Sequence, residues 1–405
     1  MPRTRGRSPI RRLLTPCIAI SGLALVLAAC SSGGSSSSGS STSSGSSSAS
    51  SSTNLAPFEQ ALQTYYKGTF TSPPTTAPTP PKGVNLWIIS CGQASQGCAD
   101  PAANAKEAAQ TLGWKATVFD GNFGIGDAYN TGIRQAIADH ASAIIVIGTN
   151  CNQAKSGFEA AKAAGIPVIG ANSFDCTDPL INDGPDLFAA TVKYTPLYSG
   201  SNAIEYADGV AKADWIIVHT KGEAKVINTD FAGLTGGVYM NDGFVHEMAK
   251  CKTCQIVKTI TYNPPDTSNG NLKNAFASAV VQYPQANAAV NISDGVTIPN
   301  DFPQAIQSAG RTSSFCIVST EGYAAAIALI RSNDGICAET PYDSNWLAWG
   351  AVDTVIRVLD HQPTVNEGMG IQVVDATHNL PPAGQDYHSP VNYKAIYEKA
   401  WGVGA

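Results

Sequence analysis

The side chains with most chemistry to offer in this 405-residue chain are ten cysteines and six histidines. Eight cysteines follow Cys17 and Cys30, an even number in a chain whose first thirty residues read as a secretory signal, so disulfides are the expected state. Their spacing suggests local pairs, Cys91 with Cys98, Cys151 with Cys176, Cys251 with Cys254 and Cys316 with Cys337, without fixing the connectivity. Cys251-Lys252-Thr253-Cys254 is a CxxC and also suits redox exchange or metal binding. No second CxxC and no histidine at finger spacing follows it, which favours a structural bridge. The histidines, His140, His219, His246, His361, His378 and His388, are scattered, and no G-x-S-x-G, H-E-x-x-H or G-x-x-x-x-G-K-[ST] occurs. The residues therefore point away from an enzyme, with no catalytic group, cofactor or metal expected; an exported hydrolase is the alternative from another class.

Met1 to Cys30 has an arginine-rich start, an apolar run from about Ile18 to Ala29 and small residues before a cysteine, the anatomy of an export signal. Leu27-Ala28-Ala29-Cys30 also resembles the bacterial lipobox, in which cleavage leaves Cys30 to be lipidated and the chain anchored to the outer face of the cytoplasmic membrane. The first thirty residues hold five arginines and no acid, so the formal charge of −6 falls to about −11 without them. An acidic body with no basic stripe is a poor partner for nucleic acid. Ser31 to Thr53 is almost all serine and glycine and reads as a flexible leash; proline-rich Thr71 to Lys82 reads as an extended spacer, with a short helix possible over Pro57 to Lys67.

The elements that must position any site begin at Val84. Ala143 to Ile147 is a β-branched run without alternation, as a strand covered on both faces should be. Phe158, Ala161 and Ala164 can share a helix face beneath it, Gly165 is placed to stop that helix, and Ile166 to Ile169 supplies the next strand. Both strand ends, Gly148-Thr149-Asn150 and Gly170 to Ser173, then emerge on one carboxyl edge, where open α/β sheets hold small ligands. Strands are expected over 85–90, 115–120 and 187–195, and helices over 101–112 and 127–140. The alternation restarts with a helix over 198–212 and continues through strands at 225–229, 255–261, 288–292 and 315–319, with helices at 236–250, 270–283 and 300–309 between them. This predicts an α/β protein of two doubly wound parallel-sheet lobes.

Residues 84 to 375 resemble the type I periplasmic binding protein family, the solute receptors of sugar-type ABC importers. The resemblance rests on Ala143 to Ile147, Ala163 to Ile169, Gly237 to Phe244, Ser293-Asp294 leading to Gln304 to Gly310, Ser319 to Tyr323, and Trp349 to Thr354, in the family's order. It implies a three-segment hinge near residues 191–194, 341–343 and 372–374. The resulting division is 1–30 lipoprotein signal peptide, 31–82 tether, 84–191 plus 343–372 first lobe, and 192–342 plus 373–403 second lobe. It further implies a monomer that closes on a small molecule and hands it to a permease, in the cell envelope. A sensing lipoprotein reporting to a membrane kinase needs the same cleft and is the alternative.

Carried over position by position, the family's pocket implies Gln93 and Ser95, Asp120, Asn122 and Phe123, Thr149 and Asn150, and Asn172, Ser173 and Phe174 from the first lobe. The second supplies Asp230, Phe231, Tyr239, Ser293, Asp294, Glu321 and Tyr323, with Tyr342 at the hinge. Asp120 and Asn150 equally suit turns or helix caps, Phe174 and Phe231 suit a core, and Asp294 suits a helix start. Three positions depart from the sugar binders: Val238 and Tyr239 stand where an arginine is usual, Glu321 where an aspartate is, and Thr340-Pro341 where a late glutamine is common. Without the bidentate arginine, a less polar or more aromatic ligand than a free pentose is expected.

Overall fold

The computed structural model describes residues 53–403; the signal segment, Cys30 and nearly all of the serine-glycine leash lie outside the described residues. Among the described residues no helix is long and apolar enough to cross a membrane. Helix α1 (Ala56–Lys67) comes first, followed by the first sheet: β1 (Asn85–Ser90), β2 (Lys115–Asp120), β3 (Ala143–Ile147), β4 (Val168–Ala171) and the short β5 (Ala190–Thr191). These pair in parallel in the order β2-β1-β3-β4-β5. Every residue of β3 is buried, as its uninterrupted apolar run requires of a strand sandwiched by helices. The helices are α2 (Gln96–Thr111), α3 (Ala128–Ala138) and α4 (Cys151–Ala163), and Gly165 follows α4 at φ +70°, the left-handed geometry that ends it. The strand expected over 187–195 survives only as β5, because the chain leaves the sheet after Thr191 to cross to the other lobe.

The second sheet repeats the order. Its strands β6 (Lys225–Phe231), β7 (Gln255–Tyr262), β8 (Ala288–Val290), β9 (Cys316–Ser319) and β10 (Ile336–Glu339) run β7-β6-β8-β9-β10, and β11 (Val374–Asp375) caps β10 antiparallel. Helix α5 (Ser201–His219) is longer than expected, since apolar Trp215-Ile216-Ile217 continue its buried face. It packs on α6 (Thr235–Met248), and the close contact has a visible cause: a Cβ on Gly209 would stand 1.9 Å from the Met240 carbonyl oxygen, and one on Gly243 2.0 Å from that of Tyr206. The remaining helices are α7 (Pro264–Ser268), α8 (Asn271–Gln282), α9 (Asp294–Thr297), α10 (Phe302–Ser308), α11 (Ala324–Ser332), α12 (Ser344–Leu359) and α13 (Tyr393–Trp401). The four local cysteine pairs are all joined as disulfides.

Two segments lie elsewhere than the sequence placed them. Residues 56–82, assigned to the tether, are bound to the body. Phe58 and Leu62 of α1 are buried in the core of the second lobe, and the following segment runs along the hinge. Thr69 N–H donates to the Ile371 carbonyl at 2.9 Å, Thr71 N–H to the Gly368 carbonyl at 2.7 Å, and Val373 N–H to the Tyr65 carbonyl at 3.0 Å. The backbones meet so closely that a Cβ on Gly370 would lie 2.5 Å from Thr69 and Phe70 main-chain atoms, which only glycine permits. The strap then reaches the first lobe, where Arg357 and Trp114 donate to the Thr76 and Pro81 carbonyls.

The second correction concerns the C-terminus, assigned to the second lobe. Residues 376–388 do lie there, with Tyr387 N–H bonded to the Gly322 carbonyl, but α13 returns to the first lobe. Trp401 stacks on Trp349 and Tyr393 on Trp346, centroids 5.4 and 5.5 Å apart, and Lys394 pairs with Glu107. An aromatic face on α12 needs a cover, and α13 provides it. The chain thus makes five connections between lobes: the strap, 192–200, 340–343, 360–373 and 389–392.

Candidate functional site

Parallel strands in the order 2-1-3-4-5 leave a crevice at the carboxyl ends of the first and third strands, where the winding direction reverses. Each lobe has such a crevice, and the two face each other. Cys91 closes β1 and is bridged to Cys98 in α2, which fixes the loop carrying Gln93 and Ser95. Asp120 accepts from the Gln93 and Asn122 N–H groups at 2.9 and 2.8 Å, joining the ends of β1 and β2. Asn122 and Phe123 both adopt positive φ, and the Phe123 ring lies over Gly92 while remaining 49% exposed. A non-glycine aromatic held in that conformation and left uncovered is a local strain of the kind found at binding sites.

Three contacts join the lobes across the crevice. At one side Asn150 Nδ2 donates to Thr235 Oγ1 at 2.9 Å, while Tyr239 stacks on Phe174 and donates its hydroxyl to Asp178 at 2.9 Å. At the hinge side Asn172 Nδ2 donates to the Tyr342 hydroxyl at 2.7 Å, and Tyr342 donates to Glu205 at 3.1 Å. At the far side the start of α2 approaches the loop after β9. A Cβ on Gly97 would stand 2.7 Å from the Tyr323 hydroxyl and 2.8 Å from Glu321 Oε1, and Gln96 donates to Asp386. The lobes are therefore closed on each other.

Buried charge is concentrated on the second lobe's edge. Glu321 stands at φ +94° and accepts from Ser293 Oγ at 2.8 Å and the Gly295 N–H at 3.0 Å. Asp294 accepts from the Tyr323 N–H and Glu339 from the Gly322 N–H. Burial, then the charge of Glu321, pushes Asp294 up to about 7. Burial raises Glu321, and burial followed by Asp294 raises Glu339 well above the usual carboxyl range. Nearer the hinge Asp208 is fully buried and accepts from Lys212 at 2.7 Å, from Thr320 at 3.0 Å and from Thr340. Glu205, one turn away, is pushed up to about 7 by burial and then by Asp208.

The structure brings most of the implied residues to this seam. Asn150, Asn172, Phe174, Tyr239, Ser293, Glu321, Tyr323 and Tyr342 make or border the cross-lobe contacts, and Gln93, Ser95, Asp120, Asn122 and Phe123 line the first lobe's rim. Asn150 is the N-cap of α4, in a reciprocal pair with Gln153, and Asp294 is the first residue of α9, so the cap and helix-start readings of these two are met. Asp230, half-buried at the end of β6, has Thr261 as its neighbour. Three implied residues turn inward instead. Ser173 Oγ serves the Thr149 N–H and the Val146 and Ala171 carbonyls, Thr149 is fully buried with its hydroxyl directed to the Ile147 carbonyl, and Phe231 stacks on Tyr262 at 4.5 Å. Their side chains hold the strand ends together and do not reach the opposite lobe.

Sequence reasoning missed Asp178, Thr235, Glu205 and Asp386. Cys176 gave the one available signal for Asp178, because its bond to Cys151 pins the loop after β4 beside the cleft.

A family model described as a periplasmic binding protein domain matches residues 88–363. The chain belongs to the periplasmic binding protein family. The family consists of binding proteins and not of enzymes, and the two parallel-sheet lobes are its fold. Among solved structures, this periplasmic binding protein is similar to a galactofuranose binding protein, at 17% identity and a TM-score of 0.59, covering 80% of this chain and all of that one. It is similar to the arabinose-transporter binding component from Shewanella sp. ANA-3, bound to arabinofuranose, at 18% identity and TM-score 0.60 over 78% of this chain and 95% of that one. It is also similar to a 5-methylthioribose transporter solute-binding protein from Thermotoga lettingae, at 18% identity and TM-score 0.60, covering 80% and 100% of the two chains. No curated protein sequence matches the chain.

Proposed function

We propose that this protein is an extracytoplasmic lipoprotein, anchored through Cys30, that captures a sugar or a more aromatic, less polar solute between its lobes and delivers it to an ABC importer. The observation that carries the reading is that the carboxyl edges of two sheets of one topology face each other and touch through side chains alone. Such a seam can open and reclose without disturbing either core. The ligand is held by the crevice residues that reach the seam, with Phe123, Phe174, Tyr239 and Tyr323 offering ring faces and Asn150, Asn172, Ser293 and Glu321 orienting polar groups. Binding selects the closed arrangement because only there does the solute meet both lobes.

Small-angle scattering and thermal melting across a library of sugars, polyols and aromatic solutes test this. A solute that lowers the radius of gyration and raises the melting temperature together supports the reading. A library that produces neither change refutes it. For the anchor, radiolabelled fatty acid should be incorporated into the wild-type chain and not into Cys30→Ala.

A further inference from the structure

The four disulfides sit at different edges of the two sheets. In the first lobe Cys91 directly follows β1 and Cys98 lies in the first turn of α2, while Cys151 opens α4 and Cys176 lies in the loop after β4. Both bridges therefore brace the carboxyl edge, which lines the crevice. In the second lobe Cys251 and Cys254 directly precede β7, and Cys316 and Cys337 stand at the beginnings of β9 and β10. Those strands run parallel, so both bridges brace the amino edge, away from the crevice.

The cleft-side contacts follow the same division. On the first lobe Asn150 precedes Cys151, Phe174 and Asp178 flank Cys176, and Gln96 and Gly97 precede Cys98, so each lies within two residues of a bridged cysteine. Their counterparts Thr235, Tyr239, Glu321, Tyr323 and Asp386 have no such neighbour, and Cys316 stands at the far end of β9 from Glu321. The bridged loops are also tied by main chain. Cys151 N–H donates to the Phe174 carbonyl at 2.9 Å, and Phe174 N–H to Asn150 Oδ1 at 3.3 Å. The Cys91 carbonyl accepts from the Phe123 N–H at 2.7 Å and from the Tyr129 hydroxyl at 3.1 Å. Loops tied in this way have little conformational freedom left to lose when a ligand or the opposite lobe meets them.

We propose that Cys91–Cys98 and Cys151–Cys176 are positioning bridges of the cleft, which hold the first lobe's edge in its closed shape and make that lobe the preformed half of the solute site. The inference rests on the reading of this seam as the solute cleft. The second lobe's edge, held by hydrogen bonds alone, is the half that adjusts on closure. Its own two bridges stabilise that lobe without acting on the seam.

The test compares ligand-free chains that each lack one bridge through paired alanine substitution, Cys151→Ala with Cys176→Ala against Cys316→Ala with Cys337→Ala. The two bridges span similar sequence separations, 25 and 21, so loop closure predicts similar falls in melting temperature. Small-angle scattering reads the seam. The radius of gyration should rise in the first variant and keep its wild-type value in the second. Amide exchange over 234–240, on the lobe opposite the lost bridge, should quicken in the first variant only, an effect that loosening of the first lobe alone would not produce. If either member of this comparison fails to fold, Cys91→Ala with Cys98→Ala against Cys251→Ala with Cys254→Ala decides it, with exchange read over 320–324. Opening in both members, in neither, or in the second-lobe member alone overturns the inference and reduces all four bridges to stabilisers. The cleft reading stands or falls separately, on the solute library applied to the wild-type chain.

Discussion

The two sides of the interlobe seam are built on opposite plans. On the cleft side the lobes meet through single side-chain bonds, Asn150 to Thr235, Tyr239 to Asp178 and Gln96 to Asp386, each with at least one partly exposed partner. On the hinge side they are joined by main chain, with Thr69, Thr71 and Val373 bonded across glycines that allow the backbones to touch. Side-chain bonds at a wet surface are worth little net and exchange readily for water; main-chain ladders packed around Gly368 and Gly370 do not. The same seam is thus releasable on one side and fixed on the other, as a hinge must be.

The largest effect should come from breaking the fixed side. Phe58→Ala empties a site in the core of the second lobe beneath α1, and the strap that depends on α1 loosens with it. Chemical denaturation should show a loss of about 3 kcal/mol, within the usual cost of removing a buried aromatic ring. A loss below about 1 kcal/mol would mean that the strap is an ornament of the fold and that the hinge is set by the other four connections.

An intermediate effect should come from pH, which acts where the two sides meet. Glu205 is pushed up to about 7 from an ordinary 4.5, so the folded protein holds a proton there that the unfolded chain releases. Stability from this group is fully present below about pH 4.5 and is lost as pH rises through 7. Melting temperature should therefore decline between pH 5 and 8, and Glu205→Gln should flatten that decline. An unchanged slope in the variant would remove Glu205 from the account.

The smallest effect on stability is expected on the releasable side. Tyr239→Phe removes the hydroxyl that reaches Asp178 but keeps the ring against Phe174. Denaturation should register no more than about 1 kcal/mol, while scattering of the unliganded variant should shift toward a more open form. A large stability loss with no opening would place this contact with the hinge and not with the cleft.

Legibility followed the strength of local periodicity. The Ala143–Ile147 run and Gly165 announced the first βαβ unit because a doubly covered strand and a helix stop leave plain local signatures. The repeated strand order of the second lobe followed from the same alternation. Residues 56–82 were opaque because their order is imposed from outside: Phe58 and Leu62 look like any short amphipathic pair until the groove beside α5 is known, and a proline-rich segment reads as a spacer whether or not Gly368 and Gly370 receive it. Helix α13 was misplaced for a related reason, since nothing in Tyr393, Tyr397 and Trp401 says which of two lobes offers the Trp346–Trp349 face. At the site, strand-end positions were readable, but the direction of a side chain was not. Ser173 and Phe174 are neighbours, and only the second faces the opposite lobe.

The distribution of tryptophans has a practical consequence. Trp87, Trp114, Trp346, Trp349 and Trp401 all belong to the first lobe, and each is at most 7% exposed and set back from the strand ends. Trp215, the sixth, bonds to Asp375 and stacks on His219 near α1. Indole emission should therefore stay dark to solute capture and brighten or redden only when the arm over the second lobe lifts, so an optical assay for occupancy has to borrow a dye placed at the mouth.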